Sequence, residues 1–496
     1  MIARVGWGLS PSRAIVLVAF VLGLLLRCFG VDAHELQYDE AATRYFSTLP
    51  WPDLWGAPAL LEPNPPLFYS LAWLITHAGG SPEQIRYISV IAGSLCVPMA
   101  WLIAGRTAGA ARDRAGASAA LLVATSPQNI AMSQYARAYA LLILCVMCAF
   151  FCILQARRLA FAPMPTERAW SPWWWSGYVV AAVAALYTHH TAVLILAALN
   201  MAILLGSVHG GFARWNFLRD FLVANSLVAA FYAPWLPVLI TQSIPPEGMA
   251  PLKFIHATGL LERLSGAISD PFAFNKLPWI DVWLLPPVLL GAWRSRSSSD
   301  MVALAAFVLG GVGLMFLASQ FHPLLDGKTL AWAGLLAVLV AGIGCGTAGR
   351  FCLPLLIAAI FLELRSVPTA VEPTPEGWRE VAQIFRDMAR PGDAVYINYA
   401  GAVLPLRQYG WPEAQLDIKV YATSDKEPWF RGRLWPIVDP TEIADDAVRL
   451  GRVWLVAYGE TRQSDGIDNE IGANSVRVLH RRTAKLDVSL FDRHSP

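Results

Sequence analysis

Long apolar runs recur along most of this 496-residue chain, and they restrict it to folds that are stable in lipid. Hydrophobic residues make up 56% of the chain and charged residues only 15%, against about a quarter charged in a soluble domain. The apolar windows fall near residues 14–30, 84–105, 115–127, 137–155, 173–188, 190–207, 219–241, 280–293, 301–319, 329–347 and 350–366. Because a straight crossing needs about 20 residues, the sequence predicts a membrane all-α fold, a polytopic bundle of about 11 transmembrane helices.

Arginine positions orient the predicted spans. With the N-terminus in the cytoplasm, alternate connections carry the arginines, and each obeys the positive-inside rule. These residues are Arg106, Arg112 and Arg114, then Arg157, Arg158 and Arg168, then Arg214 and Arg219, then Arg294 and Arg296, then Arg350. The connections 31–83 and 242–279, and everything after residue 365, are then expected on the outer side. The run after Arg13 also fits a cleavable signal sequence, but its extension to Gly30 favours a membrane anchor.

A change of composition at residue 367 predicts two domains. Residues 1–366 form the transmembrane domain, and residues 367–496 form a soluble α/β domain. In the second domain, residues 376–389 place Val381 and Phe385 on one helical face. Residues 391–393 are typical of a turn, and residues 394–398, 452–458 and 475–480 of strands. The sequence contains no nucleotide-binding fingerprint and no P-loop.

Charge and cysteine content exclude two classes of partner. The formal net charge is only +2, so no overall field attracts nucleic acid, and no nucleic-acid partner is expected. All seven cysteines lie in apolar runs without the spacing of a metal site. Cys145, Cys148 and Cys152 recur at helical spacing, but no histidine lies near them, so we interpret them as packing residues.

Two adjacent carboxylates, Asp39 and Glu40, follow the first apolar run by about ten residues. A charge at the membrane boundary is partly desolvated, which is costly unless the charge is paired or functional. A positioned carboxylate is suited to remove a proton from an attacking hydroxyl group. The alternative is a solvated first turn of a loop helix, where the helix dipole favours acids.

A pair of prolines in the same outer connection restricts the backbone conformation of the residues next to it. Pro65 and Pro66 prevent a helix before Leu67. They would present Glu62 and Asn64 rigidly to whatever faces the loop. The alternative is a simple helix start with proline in its first turn.

Several cations and histidines are predicted at the same outer face. Arg137 stands at the outer end of an uncharged helix and is suited to bind phosphate, or else to reach lipid headgroups. Arg86 presents the same choice. His189 and His190 lie at a predicted helix junction, and Lys328 at the outer start of a span. Each of these residues alone is typical of the membrane interface. The acids and the cations are predicted on one face, however, and together they predict a functional site.

These residues together resemble the polyprenyl-phosphate-sugar-dependent glycosyltransferases of the GT-C superfold. This group includes protein O-mannosyltransferases, the lipid A aminoarabinose transferase and the lipopolysaccharide-core galacturonosyltransferases. The segments that carry the resemblance are 38–41, 65–69, Arg86, 133–139, 187–190, 377–380 and 391–393. There are two departures. The aminoarabinose transferase pattern has lysine where this chain has Asn64, and closer relatives commonly have arginine where Lys328 stands.

The resemblance implies a reaction and its residues. A sugar moves from a polyprenyl-phosphate donor to a lipid, lipopolysaccharide or protein acceptor, with inversion, at the periplasmic face of a bacterial inner membrane. Asp39 is implied as the catalytic base and Glu40 as its acidic partner. The implied donor-phosphate ligands are Arg137, Lys328 and Tyr139, and the implied substrate contacts are Glu62, Asn64, Arg86, Gln134, His189 and His190. No cofactor or metal is demanded, although the acidic pair with Glu62 could hold a divalent ion.

Two other functions remain open from the sequence. A transporter or flippase of lipid-linked sugars fits the same number of spans, but transporters often contain repeated halves and a site near the membrane midplane. The sequence shows neither repeated halves nor charges in the middle of a span. A receptor whose soluble domain binds glycans is the third possibility.

Overall fold

A computed structural model describes most of the chain. The described residues are 11–56, 64–160, 171–209, 215–243, 284–319, 324, 327–372, 376–421, 438–458, 467, 471–472 and 475–493. Helices dominate up to residue 370. They are α1 (Pro11–Cys28), α2 (Tyr38–Ser47), α3 (Trp51–Leu54), α4 (Leu67–His77), α5 (Arg86–Thr107), α6 (Arg112–Thr125), α7 (Pro127–Ser133), α8 (Tyr139–Ala160), α9 (Ser171–Leu186), α10 (Ala192–His209), α11 (Trp215–Tyr232), α12 (Leu236–Ser243), α13 (Leu285–Arg294), α14 (Ser299–Ala318), α15 (Ala331–Thr347) and α16 (Cys352–Ala370).

Every predicted apolar window overlaps one of these helices. The reason is physical, because lipid supplies no hydrogen-bond partner and each apolar run must satisfy its own backbone. Six helical segments of the described chain are long and apolar enough to cross a membrane by themselves. Others, such as α10 and α15, are shorter. The number of about 11 spans therefore stays a prediction.

Small residues bring the helices of the bundle close together. Gly342 and Gly346 of α15 lie one turn apart, and a Cβ atom built on either would collide with the backbone of α6 at Ala119 or Ala115. On the opposite side of α15, Gly344 lies against the carbonyl oxygen of Pro287 in α13. Close approach of backbones through small residues is how helices associate in a lipid environment. Helix α15 is thus packed between α6 and α13.

The second domain contains a five-stranded sheet. Its helices and strands are α17 (Trp378–Met388), β1 (Ala394–Ile397), α18 (Val403–Gln408), β2 (Asp417–Val420), α19 (Pro440–Leu450), β3 (Arg452–Tyr458), β4 (Val476–Arg482) and β5 (Leu486–Asp492). The strand order is β2-β1-β3-β5-β4. Strand β1 is parallel to β2 and β3, whereas β5 pairs antiparallel with both β3 and β4. The mixed sheet is covered by α17, whose Val381 and Phe385 are buried as the helical periodicity predicts.

Three of the five strands match the predicted ones, at 394–398, 452–458 and 475–480. The predicted turn at 391–393 is present, and Gly392 adopts a φ of 89° there, a conformation that favours glycine. Strands β2 and β5 were not predicted. Helix α16 continues to Ala370, a few residues beyond the composition change at residue 367.

Candidate active site

The acidic pair lies in the first turn of α2, on the connection between α1 and α5. Gln37 precedes the helix with extended backbone, and its amide N–H donates to Oε2 of Glu40 at 2.9 Å. This is half of a capping box, which holds the chain direction at a helix start. The structure therefore shows a loop-helix start here, but Glu40 is not solvated as that alternative assumed, since it is only 1% exposed.

Glu40 forms a buried ion pair with Arg86. The guanidinium donates from Nε to Oε1 and from NH2 to Oε2, each at 2.7 Å. The backbone N–H of Ala136 also donates to Oε1 at 2.8 Å. With the Gln37 amide, both carboxylate oxygens of Glu40 thus have two donors, which is close to their full acceptor capacity. This arrangement favours a positioning role for Glu40 and Arg86 over the catalytic and substrate-binding roles predicted for them.

Arg86 also holds the chain that leads to α2. Its NH1 donates to the carbonyl oxygens of Val31 at 2.7 Å and His34 at 3.1 Å, and its NH2 donates to that of Glu35 at 2.9 Å. A planar guanidinium can bind several acceptors at fixed angles. One side chain at the start of α5 therefore fixes both the acidic pair and the segment before it.

Asp39 points in a different direction from Glu40 and contacts two other groups. The hydroxyl of Tyr135 donates to Oδ2 of Asp39 at 2.6 Å, and Nζ of Lys328 lies 3.4 Å from the same oxygen. Lys328 also donates to the Tyr135 hydroxyl at 3.1 Å. The side chains of Asp39 and Lys328 are each 35% exposed, so a bound molecule can reach both.

The carboxyl pKa of Asp39 lies below its ordinary value of 3.8. Burial acts to raise this pKa, but the positive charges of Arg137 and Lys328 and the hydrogen bonds from Tyr135 and Lys328 outweigh it. Burial and the negative charge of Asp39 raise the pKa of Tyr135 well above 10. Asp39 is thus a carboxylate at neutral pH, and Tyr135 remains a hydroxyl donor.

Arg137 supplies a buried positive charge behind Asp39. Its NH1 donates to the Asp39 carbonyl oxygen at 3.3 Å, to Oγ1 of Thr43 at 3.5 Å and to the hydroxyl of Tyr69 at 3.2 Å. The residue is 9% exposed. Of the two predicted phosphate-binding cations, Lys328 is therefore the accessible one, and Arg137 acts on the site mainly through its charge.

Aromatic rings continue from Asp39 toward the predicted histidines. Lys328 Nζ lies 4.6 Å from the ring centre of Tyr135, which stacks on Tyr139 with ring centres 6.4 Å apart. The ring of His189 is 5.5 Å from that of Tyr139. The backbone N–H of Thr191 donates to Nδ1 of His189. Burial first, then the charges of His190 and Arg137, lower the pKa of His189 to about 3, so this imidazole is neutral.

A cavity of about 330 Å³ opens beside this group. Tyr135 and Lys328 line it together with Gln134 and with Thr369 and Glu372 near the end of α16. Its volume falls within the range of about 300–1,000 Å³ that is usual for small-molecule sites. Glu40 and Arg86 also contribute to its wall. The cavity thus joins the connection between α1 and α5, the segment before α8 and Lys328 into one site.

Known structures share this fold. ArnT from Cupriavidus metallidurans in the apo state gives a TM-score of 0.65 at 12% identity, covering 97% of this chain and 98% of that chain. ArnT from the same organism bound to undecaprenyl phosphate gives 0.62 at 13% identity, over 96% and 97%. The archaeal oligosaccharyltransferase AglB from Archaeoglobus fulgidus, with an inhibitory peptide and a dolichol-phosphate, gives 0.54 at 12% identity, over 90% and 69%. The chain has the GT-C fold.

A family match falls inside the GT-C fold. Residues 68–210 match the family described as dolichyl-phosphate-mannose-protein mannosyltransferase. This segment runs from α4 to the end of α10 and includes Arg86, Arg137 and His189. No curated protein sequence matches the chain significantly. The predicted GT-C resemblance is confirmed, the chain is a multi-pass membrane protein, and the comparisons favour a glycosyltransferase over a flippase.

The remaining predicted residues of this GT-C chain lie around the same region. Gln134 donates to the carbonyl oxygens of Arg27 at 3.1 Å and Phe29 at 2.8 Å, so it holds the end of α1. Asn64 is half-buried just before α4, and His190 is half-buried beside His189. Glu62 lies outside the described residues. The prediction that Glu62 and the acidic pair could hold a divalent ion therefore also rests on a residue outside them.

Two residues of the site were not among the predicted ones. Tyr135 donates to Asp39, and Tyr69 accepts from Arg137. Both stand in segments that carry the GT-C resemblance, at 133–139 and 65–69. Tyr135 and Tyr139 are four residues apart, each two residues from Arg137, and this spacing is the signal in the sequence for Tyr135.

Proposed function

We propose that this chain is a membrane glycosyltransferase that transfers a sugar from a polyprenyl-phosphate-linked donor to a lipid, lipopolysaccharide or protein acceptor of the bacterial cell envelope. One observation carries the proposal: the Asp39 carboxylate and the Lys328 ammonium meet at the Tyr135 hydroxyl, and Tyr135 and Lys328 line a cavity. A base and a cation within one site are what transfer from a phosphate leaving group requires. The family match and the GT-C fold support the lipid-linked donor.

In the proposed reaction, an acceptor hydroxyl attacks the anomeric carbon from the side opposite the phosphate, so the anomeric centre inverts. Asp39 takes the hydroxyl proton as the new C–O bond forms and the bond to the phosphate oxygen breaks. Lys328, Tyr139 and the charge of Arg137 stabilise the phosphate that leaves. Since a bound phosphate attracts Lys328 away from Asp39, the pKa of Asp39 rises on donor binding, which makes it a stronger base.

We also propose the orientation and location of the protein. The site faces the periplasm of a bacterial inner membrane, the N-terminus is cytoplasmic, and residues 367–496 form a periplasmic domain. Arginine positions in the sequence support this orientation. In the structure, Lys328, Tyr135 and residues 369–372 line the same cavity, which supports a common face for the site and the second domain.

Replacing Asp39 with asparagine tests the proposed base. The amide keeps the shape of the side chain but cannot accept the proton, so transfer from a polyprenyl-phosphate sugar in membranes should fall by about 10²-fold or more. Asp53→Asn is the matched control, because Asp53 lies in the same outer connection, on α3. Undiminished transfer by Asp39→Asn would exclude Asp39 as the base.

The same pair of variants separates the enzyme from the flippase. A flippase has no need of a general base, so scrambling of a lipid-linked sugar by purified protein in vesicles should be indifferent to Asp39→Asn. Scrambling by the wild-type protein without any transfer to an acceptor would support the flippase instead.

We propose that the reaction needs no divalent metal. The oxygens of Glu40 accept from Arg86 and from two backbone amides, and Oδ2 of Asp39 accepts from Tyr135. Donors rather than open coordination positions thus surround both oxygens of Glu40 and Oδ2 of Asp39. Transfer activity should be unchanged after dialysis against EDTA. A loss that Mg²⁺ or Mn²⁺ restores would contradict this proposal and would favour ligation by Glu62.

A further inference from the structure

A second cavity lies at the other end of the helix bundle from Asp39. Its volume is about 240 Å³, and Arg106, Arg112 and Arg158 line it. Arg106 is on α5, more than five turns beyond the residue of this helix that binds Glu40, or about 30 Å along the axis. The cavity therefore faces the opposite membrane surface and is separate from the candidate active site.

A tight connection between α5 and α6 brings two of these arginines together. Gly109 has a φ of 55°, a left-handed conformation that lets the chain reverse between the helices. Gly105 has no side chain, and Arg112 occupies the space beside it: Cγ of Arg112 is 3.3 Å from where a Cβ of Gly105 would be. The Arg112 side chain thus lies across α5 toward Arg106.

Positive charge exceeds negative charge around this cavity. Asp300 at the start of α14 pairs with Arg157, and its Oδ2 is 3.5 Å from Nε of Arg106. Among the described residues, no carboxylate lies within ion-pair distance of Arg112 or Arg158, and no acidic side chain lines the cavity. The Asp300 carboxylate is thus shared by Arg106 and Arg157. The guanidinium groups of Arg112 and Arg158 remain to bind an anion in the cavity.

The apolar part of the lining identifies the kind of anion. Leu102 and Phe151 form the wall on the membrane side, and Gln155 adds a neutral donor. We propose that this cavity binds the phosphate headgroup of an anionic membrane phospholipid, whose acyl chains extend along α5 and α8 into the bilayer. Guanidinium groups bind phosphate in a bidentate manner, and basic pockets between transmembrane helices accept such headgroups.

The test uses the full chain purified in detergent and stripped of lipid. Short-chain phosphatidylglycerol, the matching phosphatidylcholine and inorganic phosphate are titrated separately, and the shift in Tm and the lipid retained in native mass spectrometry are measured. Phosphatidylglycerol alone should raise the Tm. In the double variant Arg112→Gln/Arg158→Gln, its apparent affinity should fall about tenfold or more.

The matched control is Arg294→Gln/Arg296→Gln. These two arginines are exposed at the end of α13, stack near Trp293 and do not line the cavity. The control should keep the wild-type response, and both doubles should keep transferase activity because Asp39 is on the other face. An equal loss in both doubles, or an equal response to inorganic phosphate, would overturn the proposal. Should the double variant not fold, the single variants Arg112→Gln and Arg158→Gln provide the same comparison.

Discussion

The adjacent carboxylates of Glu40 and Asp39 have different environments at this site. Glu40 is buried and fully hydrogen-bonded by Arg86 and backbone amides, whereas its neighbour Asp39 is one-third exposed and contacts Tyr135 and Lys328. Successive residues of a helix point about 100° apart, so the two carboxylates reach different partners. Removing one partner of a buried ion pair typically costs about 3–5 kcal/mol of stability. Glu40 therefore supports the structure in which Asp39 is accessible.

The pH dependence of transfer should report the environment of Asp39. The Tyr135 hydroxyl helps to hold the pKa of Asp39 low, so the base is charged and active until the pH falls through that pKa. In Tyr135→Phe this hydrogen bond is lost and the pKa rises, so the acid limb of kcat/KM should move up by about one pH unit. Tyr87→Phe is the control, since Tyr87 donates to a different aspartate, Asp32. An unmoved acid limb in Tyr135→Phe would show that Asp39 is not the titrating base.

The packing of α15 against α6 sets the distance between Lys328 and Tyr135. Helix α15 follows directly after Lys328 and lies against α6 through Gly342 and Gly346. Helix α6 leads into α7 and then to Tyr135. The contact between Lys328 and Tyr135 therefore depends on how closely these two helices approach, because each side chain is anchored at a helix end.

Gly342→Ala should weaken this packing. The added methyl group collides with the Ala119 backbone, which cannot move aside without shifting α6. Overpacking of this kind costs about 1–3 kcal/mol, so the Tm of the purified protein should fall and transfer should decrease with it. Gly313→Ala is the matched control, because a Cβ atom on Gly313 of α14 meets no atom within 4 Å. A lower Tm in Gly313→Ala and not in Gly342→Ala would contradict this account of the packing.

At the scale of the whole molecule, the second domain is docked on the segment that carries the acidic pair. The Glu35 carboxylate accepts backbone N–H bonds from Gly377 at 2.9 Å, Trp378 at 3.2 Å and Arg379 at 2.9 Å, and so caps α17. The amide of Leu36 donates to the hydroxyl of Tyr409 at 2.6 Å. A carboxylate at a helix N-terminus is stabilised by unpaired amides and the helix dipole. The domain thus buttresses the chain just before Asp39.

Glu35→Ala should loosen this docking. Three amides at the start of α17 lose their acceptor, and loss of such a cap costs about 1–2 kcal/mol. Amide hydrogen exchange of residues 377–379 should become about tenfold faster, and transfer should fall in part because the segment before Asp39 loses an anchor. Glu442→Ala is the comparison, since Glu442 lies in the first turn of α19 within the second domain itself. Unchanged exchange at residues 377–379 would show that Glu35 does not hold the two domains together.

Hydropathy and motif order determined much of this protein by themselves. The apolar helices lie where the sequence predicts, and the junction near His189 and three strands of the second domain were located as well. These features are local, because a lipid environment or a helical face imposes its pattern on consecutive residues. The GT-C resemblance likewise followed from short segments in a fixed order.

Only the tertiary structure decided which charges meet. Glu40 pairs with Arg86, 46 positions along the chain, and Asp39 with Lys328, 289 positions along it. Asp39 and Glu40 are adjacent and share the same neighbouring residues. No local sequence pattern therefore distinguishes the positioning carboxylate of Glu40 from the accessible one of Asp39. Their roles, the place of Glu35 under the second domain and the order of the strands are set by packing between distant segments, whose energies depend on distances and burial that a linear sequence does not contain.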